Sequence, residues 1–454
     1  MIYTPETLFY HGRTSRMSRK SPVIVALRSI RKGSNLVRRV TTGTSHLMGK
    51  VENKVTKLII ERAGSETGEK NISLDDFFYN QYPFLFPIHP ALPNVDQKPS
   101  VTVFVPNLSA RGFYGGIATL LISSACLAKE LGYNYRVVQT SGFEKNSKVL
   151  EFLASKNILI DANSYSTIDV SFRNTTNFAY LPLHPDDVIV VSAWWDAHTA
   201  SQLPLSRKFV YMLQDYEPIF YNNGDEQQFA EATYHTDNFV PLCNTELMAK
   251  YFNQGNYDYI SENATWFEPA VGITPSKGRS KDTKKIFLYG RPQVDRNMFF
   301  TALKALDSAL QSPEFSKNKW EIYCAGQADI PNIKLKSDHV IKNLGKLDID
   351  QYYAFTKTVD IAVSPMLAPH PNYPTLELAS VGATVVTTKY MTKDSLKEYS
   401  ENILLCEPTV KDMSLKIINA CRLSLGPKRK KKHNIQSDWI KSLDGPLKEV
   451  VEKL

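Results

Sequence analysis

Between residues 360 and 388 the chain reads DIAVSPMLAPHPNYPTLELASVGATVVTT. The apolar runs at Asp360–Ser364 and Thr384–Thr388 have the length and the β-branched residues that are typical of buried strands. A proline-rich loop follows the first run, and Thr375–Val381 then shows helical apolar spacing. Pro374 suits the first helical position, and Gly382 suits the helix end. Strand, helix and strand in this order predict a parallel sheet covered by helices.

The same alternation continues along most of the chain, interrupted near Gly272–Asp282 by a polar segment with glycine, serine and proline. Further strands are predicted at Val101–Val105, Tyr135–Gln139, Asp187–Ser192, Lys208–Leu213, Asn238–Leu242, Lys285–Tyr289, Trp320–Ala325, His339–Leu344 and Asn402–Cys406. Further helices are predicted at Ile117–Leu131, Glu226–Tyr234, Thr245–Asn253, Asn297–Leu310, Ile349–Thr356 and Val410–Leu425. We therefore predict an α/β protein with two doubly wound, Rossmann-like domains, residues 99–272 and 273–430, that face each other across a cleft.

The composition of the 454 residues is that of a folded protein, since 43% are hydrophobic and 22% are charged. These values exclude a mostly disordered chain. The five cysteines have no CxxC spacing, which argues against a structural zinc site and favours a reducing, cytosolic compartment. No apolar run approaches the ~18 residues of a membrane span, so we expect a protein that is soluble or bound only at a membrane surface.

The positive charge is concentrated in a basic N-terminal arm, which together with a proline-rich linker makes up residues 1–98. Residues 1–70 hold 14 lysines and arginines and five acidic residues, whereas the whole chain has a formal net charge of +8. Apolar residues are interleaved with the basic ones, as on segments that bind anionic bilayers, although a solvated extension explains the same composition. The arm has few aromatic residues to stack on bases, which disfavours nucleic-acid binding. At the other end, residues 431–454 are predicted to form a tail helix.

Several common nucleotide-binding and hydrolytic motifs do not occur in the sequence. Gly115 and Gly116 open a predicted helix and allow a ligand to approach the backbone, but they are not part of a GxGxxG motif. The strand that ends at Gln139 also lacks the acidic residue of a nicotinamide-nucleotide site, so a dehydrogenase is disfavoured. The P-loop, HExxH and GxSxG motifs are missing as well, which excludes the enzyme classes that depend on them.

Ligands of open α/β sheets bind beyond the carboxyl ends of the strands, and several polar residues are predicted to lie there. Arg291 follows Gly290, where the glycine allows a tight turn, and Lys346 follows another strand. Two cations on neighbouring loops suit a diphosphate, although a lone surface cation is more often solvated or salt-bridged. The helix that begins at Pro374 would point free N–H groups into the cleft. Glu377 in its first turn would accept hydrogen bonds from a ribose-type hydroxyl or simply stabilise the helix dipole.

The first domain also has polar and aromatic residues after its predicted strands. Asp215 and Glu217 follow one strand, and Trp195 and His198 follow another. Paired carboxylates suit acceptor hydroxyls or acid–base chemistry, and rings beside polar groups suit sugars. A turn-forming aspartate and ordinary tryptophan packing explain the same residues without a ligand. We predict that these four residues form an acceptor side of the cleft.

Together these elements resemble the retaining GT-B glycosyltransferases of the large family 4, and within it the bacterial WsaF-type rhamnosyltransferases that use dTDP-L-rhamnose. The resemblance covers about residues 75–425 in the expected order. It is carried by Val105-Pro106-Asn107, Gly115-Gly116-Ile117, Leu213-Gln214-Asp215-Tyr216-Glu217-Pro218, Tyr289-Gly290-Arg291-Pro292, Arg296-Asn297, Leu344-Gly345-Lys346-Leu347 and His370-Pro371-Asn372-Tyr373-Pro374-Thr375-Leu376-Glu377.

The resemblance implies a role for each of four residues in the second domain. Arg291 and Lys346 would bind the diphosphate of the donor and stabilise the charge that develops on the leaving group. Glu377 would hold the sugar of the nucleoside, and Tyr373 would lie nearby, at the phosphate or the base. The implied reaction is transfer with retention, without a metal ion or other cofactor.

Gly116 and Gly290 complete the donor-binding residues, and one position departs from the family pattern. Most family 4 enzymes carry a second glutamate eight positions before Glu377, where this chain has Pro369. We expect a cytoplasmic rhamnosyltransferase that moves L-rhamnose from dTDP-β-L-rhamnose to a growing, lipid-linked surface glycan at the inner face of the membrane. The alternatives are a UDP- or GDP-sugar transferase of the same fold, and a catalytically inactive glycan-binding or scaffold protein.

Overall fold

The computed structural model describes residues 71–92, 98–108, 113–144, 148–174, 179–271, 283–425 and 433–454. The chain divides into two compact units, Met1–Tyr82 and Pro83–Leu454. The described part of the first unit contains helix α1 (Leu74–Gln81), where the Ser73 hydroxyl accepts a hydrogen bond from the Asp76 N–H at 3.0 Å. The predicted basic arm, residues 1–70, and the predicted boundary near Gly272–Asp282 lie outside the described residues.

The second unit contains two α/β domains, and the first is built on a seven-stranded, all-parallel sheet. Its strands and those of a small two-stranded sheet are β1 (His89–Ala91), β2 (Ser100–Val105), β3 (Asn134–Gln139), β4 (Tyr165–Asp169), β5 (Tyr180–Pro182), β6 (Val188–Val191), β7 (Phe209–Leu213), β8 (Phe239–Asn244) and β9 (Thr265–Phe267). The helices are α2 (Gly115–Leu131), α3 (Val149–Ala154), α4 (Trp194–Ser201), α5 (Asp225–Ala232), α6 (Glu246–Gln254) and α7 (Asp258–Asn263). The large sheet has the order β4-β3-β2-β6-β7-β8-β9, and β1 pairs with β5.

The second domain has its own seven-stranded sheet, ordered β12-β13-β11-β10-β14-β15-β16. Its strands are β10 (Thr283–Tyr289), β11 (Lys319–Ala325), β12 (Ile333–Lys334), β13 (Val340–Asn343), β14 (Ile361–Val363), β15 (Thr384–Thr388) and β16 (Ile403–Cys406). Its helices are α8 (Phe299–Leu310), α9 (Ile349–Thr356), α10 (Tyr373–Ser380) and α11 (Val410–Leu425), and α12 (Trp439–Lys453) follows them in sequence. All pairings are parallel except that of β12 with β13.

The strands that the sequence predicted are central except β16, which lies at an edge, and their apolar composition explains why they were predicted. Every residue of β2, β7 and β8 is buried, because helices cover both faces of a parallel sheet. The two domains and their strand–helix alternation confirm the predicted α/β architecture. The sequence missed β4 at the sheet edge, whose residues Tyr165–Asp169 mix apolar and polar side chains and are partly buried or exposed.

The last helix, α12, packs against the first domain although it follows the second in sequence. Leu443, Leu447 and Val450 lie in the same apolar core as residues of β2 and α2. The Lys453 ammonium donates to the Asn263 carbonyl at 3.0 Å and to the Thr265 hydroxyl at 2.8 Å. The predicted tail helix is confirmed, and the structure adds that it completes the first domain. Of the helices that the structure describes, none combines the length and the apolar character required to cross a bilayer.

Candidate functional site

The carboxyl ends of the strands of both domains meet around one side chain. Tyr373 begins α10 in the second domain, and its hydroxyl reaches the first domain. There it hydrogen-bonds to the Thr119 hydroxyl at 2.5 Å and accepts from the Asn244 amide at 2.9 Å. Thr119 lies in the first turns of α2, and Asn244 ends β8. The hydroxyl of Tyr373, predicted near the phosphate or the base, is thus engaged in the contact that joins the two sides of the cleft.

Arg291 lies directly beyond β10, as the sequence predicted, but the reason for Gly290 is different. Gly290 is buried, and a Cβ atom there would stand 3.1 Å from Ile330 Cδ1 and 3.3 Å from Cys324 Cβ. The glycine is needed because the backbone packs closely on its neighbours, and not because the chain turns in the left-handed region, where Gly290 does not lie. The space beside Gly290 is therefore filled by protein, which leaves no room there for the predicted approach of a ligand.

Lys346 follows β13 and is exposed. The order of the sheet puts β11 between the strands that carry Arg291 and Lys346, so the loops are one strand further apart than predicted, about 10 Å. The two loops are linked through that middle strand, because the Gly326 N–H donates to the Gly345 carbonyl at 3.0 Å. Within the described residues, neither cation forms an ion pair. Among the described residues, neither charge is thus neutralised by a carboxylate.

Glu377 occupies the first turns of α10 and is shielded from solvent. Burial raises the pKa of its carboxyl to about 7, an effect opposed by the nearby Tyr352 hydroxyl and by Lys156 of the first domain. The carboxylate is thus close to half ionised at neutral pH. A hydroxyl-bearing ligand that donates to Glu377 would favour the ionised form.

His370, which the sequence did not assign to the site, offers a buried donor beside α10. Its Nδ1 accepts a hydrogen bond from the Asn372 N–H at 2.9 Å, which leaves the ring hydrogen of the neutral form on Nε2. This Nε2 has no partner among the described protein atoms. Burial, with the nearby charges of Lys393 and Arg296, lowers the pKa of His370 to about 3, so the ring is neutral.

An ion pair between the domains lies next to this imidazole. Arg296 Nε approaches Asp215 Oδ2 at 3.5 Å, and the guanidinium lies 3.9 Å from the centre of the Phe220 ring. Lys393 is fully buried and donates to the Met366 and His370 carbonyls at 2.8 and 3.3 Å. Burial raises the pKa of Asp215 to about 6 and lowers that of Lys393 to about 7, and their mutual attraction opposes both shifts. Asp215, predicted to bind the acceptor, already has a cationic partner from the second domain.

Glu217, the second predicted carboxylate, binds the start of α4. Its Oε2 accepts a hydrogen bond from the Trp194 N–H at 2.6 Å. Burial, with a smaller effect of neighbouring Asp215, raises the pKa of Glu217 to about 8. Glu217 therefore carries a proton for most of the time at neutral pH and is a hydrogen-bonding group more than a charge.

Trp195 and His198, the other predicted acceptor residues, both lie on α4. The Trp195 ring packs edge to face with Phe84, 6.2 Å between centroids, and its Nε1 is buried without a partner among the described atoms. His198 Nε2 lies 2.9 Å from the Gln202 amide nitrogen, and burial lowers the pKa of the ring. The sequence placed both residues after a strand but did not predict that they share a helix.

The paired glycines at the start of α2, Gly115 and Gly116, differ in the space beside their Cα atoms. The Gly116 carbonyl accepts from the Gln214 amide at 3.0 Å, and a Cβ on Gly116 would stand 3.2 Å from the same nitrogen. Gly115 has φ +48°, and none of the described atoms lies within 4 Å of where its Cβ would stand. A Cβ at Gly115 would thus meet none of the described atoms, whereas one at Gly116, an exposed residue, would meet the end of the Gln214 side chain.

The arrangement is electrostatically asymmetric across the cleft. The second domain contributes Arg291, Lys346, the amino end of α10 and the Glu377 carboxyl, whereas the first contributes Asp215, Glu217 and aromatic rings. Groups of this kind stabilise an anion on one side and bind hydroxyls on the other. Among the described residues, no group of three or more His, Cys, Asp or Glu side chains is placed to hold a metal ion.

Comparison with known families gives two matches that follow the two sheets. The model for "WsaF, N-terminal domain" matches residues 100–246, and the model for "WsaF, C-terminal domain" matches residues 284–418. Together the matches cover more than half of the chain. The O-antigen biosynthesis protein RfbC of Myxococcus xanthus is 31% identical over 244 residues, which are 52% of this chain and 18% of that protein. The chain thus spans under a fifth of the length of this relative.

Among solved structures, TarM has a TM-score of 0.51 at 8% identity, with 78% of this chain and 96% of TarM covered. A TarM variant from S. aureus, solved with fondaparinux, α-GlcNAc-glycerol and UDP, gives the same score and identity over 78% of this chain and 97% of its own. At this identity the likeness concerns the fold alone. The fold is GT-B, as the sequence resemblance implied.

Proposed function

Because the chain belongs to the WsaF family of glycosyltransferases, we propose that it moves L-rhamnose from dTDP-β-L-rhamnose to a growing bacterial surface polysaccharide, with retention of configuration. One observation carries the proposal: Arg291 follows β10 and Lys346 follows β13, in the same sheet as the β14 strand that leads into α10, and neither has an ion-pair partner among the described residues. The match to an O-antigen biosynthesis protein supports a polysaccharide as the acceptor.

In the proposed complex the second domain binds the donor. The Arg291 guanidinium binds diphosphate oxygens in bidentate fashion, and Lys346 supplies a point charge from the other loop. The N–H groups at the start of α10 face the same anion. Glu377 accepts hydrogen bonds from the sugar of the nucleoside, and His370 Nε2 supplies one more donor at this end of the site.

The proposed reaction breaks the bond between the sugar C1 and the diphosphate oxygen and forms one between C1 and an acceptor hydroxyl oxygen. The acceptor attacks from the face that the leaving group vacates, which retains the configuration. The hydroxyl proton passes to the departing diphosphate oxygen. Arg291 and Lys346 stabilise the negative charge that grows on this oxygen, the role that a metal ion has in other transferases, so the proposal needs no metal.

A thermal-shift panel with dTDP, UDP, GDP and NAD tests the donor. A ligand that binds only the folded chain stabilises it by about 2.7 kcal/mol at 100 times its Kd. We expect dTDP to stabilise the protein most. In an activity assay, we expect turnover of dTDP-rhamnose that EDTA does not inhibit. Stabilisation by UDP or GDP alone would favour a different sugar nucleotide, and no shift with any of the four would favour an inactive glycan-binding protein.

The proposal places the enzyme in the cytoplasm at the inner face of the membrane, with residues 1–70 on anionic lipid. The excess of basic over acidic residues in this arm supports the contact with anionic lipid. Flotation of the full chain with vesicles tests it. Binding to vesicles that contain phosphatidylglycerol, lost at high salt and absent with phosphatidylcholine alone, is the expected result.

A further inference from the structure

A surface cavity of about 260 Å³ lies beside the cleft and is lined by residues of both domains. Glu231 of α5 and His235 just beyond it form one side, and Tyr251 and Gln254 of α6 form another. Met391, from the loop after β15, closes the cavity from the second domain and is 68% exposed. The cavity is separate from the predicted site residues, none of which lines it.

A hydrogen-bond network fixes one wall of the cavity and connects it to the cleft. The Glu231 carboxylate accepts from the Tyr216 hydroxyl at 2.5 Å, from the Tyr257 hydroxyl at 2.7 Å and from His235 Nε2 at 3.3 Å. Tyr216 stands in sequence between the two carboxylates of the first domain, Asp215 and Glu217. Its ring lies 5.1 Å from that of Tyr251, centre to centre. The network therefore joins the cavity wall to the loop that faces the cleft.

The second domain is also tied to this wall. The Thr392 hydroxyl donates to the Leu247 carbonyl of α6 at 3.2 Å, which places the loop that carries Met391 against the first domain. Tyr390 of the same loop is close enough to Asp215 for the carboxylate to raise the pKa of the phenol, after the larger effect of burial. Tyr216 and Tyr390 thus stand between the cavity and the interdomain ion pair.

The chemistry of the lining suits an uncharged ligand rich in hydroxyls. The His235 ring stacks on Tyr257 at 5.2 Å, and Tyr251 and Met391 add apolar surface. Gln254 offers an amide and Glu231 a carboxylate, both planar hydrogen-bonding groups. Of the described residues that line the cavity, none is a lysine or an arginine, so a diphosphate would find little to neutralise it. Rings beside planar polar groups bind the apolar faces and the hydroxyls of sugars.

We propose that this cavity is a saccharide subsite that holds sugar units of the acceptor glycan beyond the one that reacts. A growing glycan is longer than the cleft, so its earlier units must lie on the surface beside it. The methyl group of a 6-deoxy sugar would pack on Met391 and Tyr251. The residues that line the cavity support a sugar as the ligand. That the sugar belongs to a rhamnose-containing acceptor rests on the proposed function.

The test is isothermal titration of the full chain with a linear L-rhamnose hexasaccharide and with dTDP. His235→Ala, Gln254→Ala and Met391→Ala each remove one exposed lining group. Each is expected to raise the Kd for the hexasaccharide about 10-fold, as for the loss of a hydrogen bond or a ring contact. The Kd for dTDP, which binds elsewhere, should change less than about two-fold. Gln228→Ala, at an exposed residue of α5 outside the cavity, is the matched control.

Unchanged affinity for the hexasaccharide in all three variants would overturn the proposal, as would a wild-type chain that binds no hexasaccharide. Turnover of dTDP-rhamnose by the wild-type chain is a separate readout. A chain that binds the hexasaccharide through these three residues but does not turn over dTDP-rhamnose would refute the donor assignment and keep the subsite.

Discussion

Replacing Tyr373 by phenylalanine removes one hydroxyl from the contact between the domains and leaves the ring in place. The hydroxyl makes two hydrogen bonds, to Thr119 at 2.5 Å and to Asn244 at 2.9 Å. Thr119 retains its bond to the Gly115 carbonyl at 3.0 Å, so its donor stays satisfied. The fully buried Asn244 amide is left with Gln214 Oε1 at 3.5 Å. We therefore expect a loss of about 1–3 kcal/mol in the free energy of unfolding, most of it from this amide.

Urea denaturation followed by tryptophan fluorescence measures this loss. The control is Tyr180→Phe, since Tyr180 is 54% exposed. Surface substitutions of this kind change the free energy of unfolding by less than about 0.5 kcal/mol. If Tyr373→Phe is no more destabilising than the control, then the hydroxyl does not make these bonds in solution and the domain contact as described is wrong.

Three further substitutions test the site. Arg291→Ala is expected to lower turnover of dTDP-rhamnose by about 10²–10³-fold, because it removes a charge that faces the leaving group, whereas Lys336→Ala at an exposed position should not. Glu217→Gln should change the pH dependence of stability. Burial raises the pKa of Glu217 from 4.5 to about 8, so the folded chain keeps a proton that the unfolded chain releases, and wild-type stability falls as pH rises through this window. Gly326→Ala should destabilise the protein by about 1–3 kcal/mol and weaken dTDP binding, since its Cβ would stand 2.7 Å from the Gly290 carbonyl oxygen at φ +134°.

Each of these expectations has a contrary result that the same assays would show. Steady-state kinetics that give Arg291→Ala the activity of the wild type would remove the guanidinium from the donor site. Parallel stability–pH curves for wild type and Glu217→Gln, measured by denaturation between pH 5 and 9, would mean that the carboxyl is not buried. A wild-type melting temperature for Gly326→Ala would show that a Cβ fits beside the Gly290 carbonyl without strain.

The central strands and the long helices were predictable because burial on both faces leaves a continuous apolar run, and helices between them keep a regular spacing. The segment around α10 is the best case: Pro374, Gly382 and the two flanking strands locate it to within two residues. Edge strands such as β4 and β9 were missed, because partial exposure mixes polar residues into a short run.

The site was only partly predictable, for a physical reason. Arg291 and Lys346 follow strands within three residues, and Glu377 lies in the helix after β14, so local order in the sequence is enough to predict them beyond the carboxyl ends of the strands. Lys393 and the pairing of Asp215 with Arg296 depend on how the two domains meet, which no local pattern encodes. The sequence around Lys393, which includes Tyr390 and Met391, does not indicate that this lysine is buried.

Because α12 completes the core of the first domain, that domain cannot finish folding until α12 has been synthesised. β9 ends at Phe267, yet the helix that covers the same apolar core ends at Lys453. A ribosome that adds about 5–20 residues per second needs roughly 10–40 s to travel this distance. Throughout that interval the nascent first domain has an apolar surface that nothing from its own part of the chain covers. A chaperone that binds such surfaces during translation should therefore be released only after the last helix emerges, and ribosome profiling of chaperone-bound nascent chains would show it.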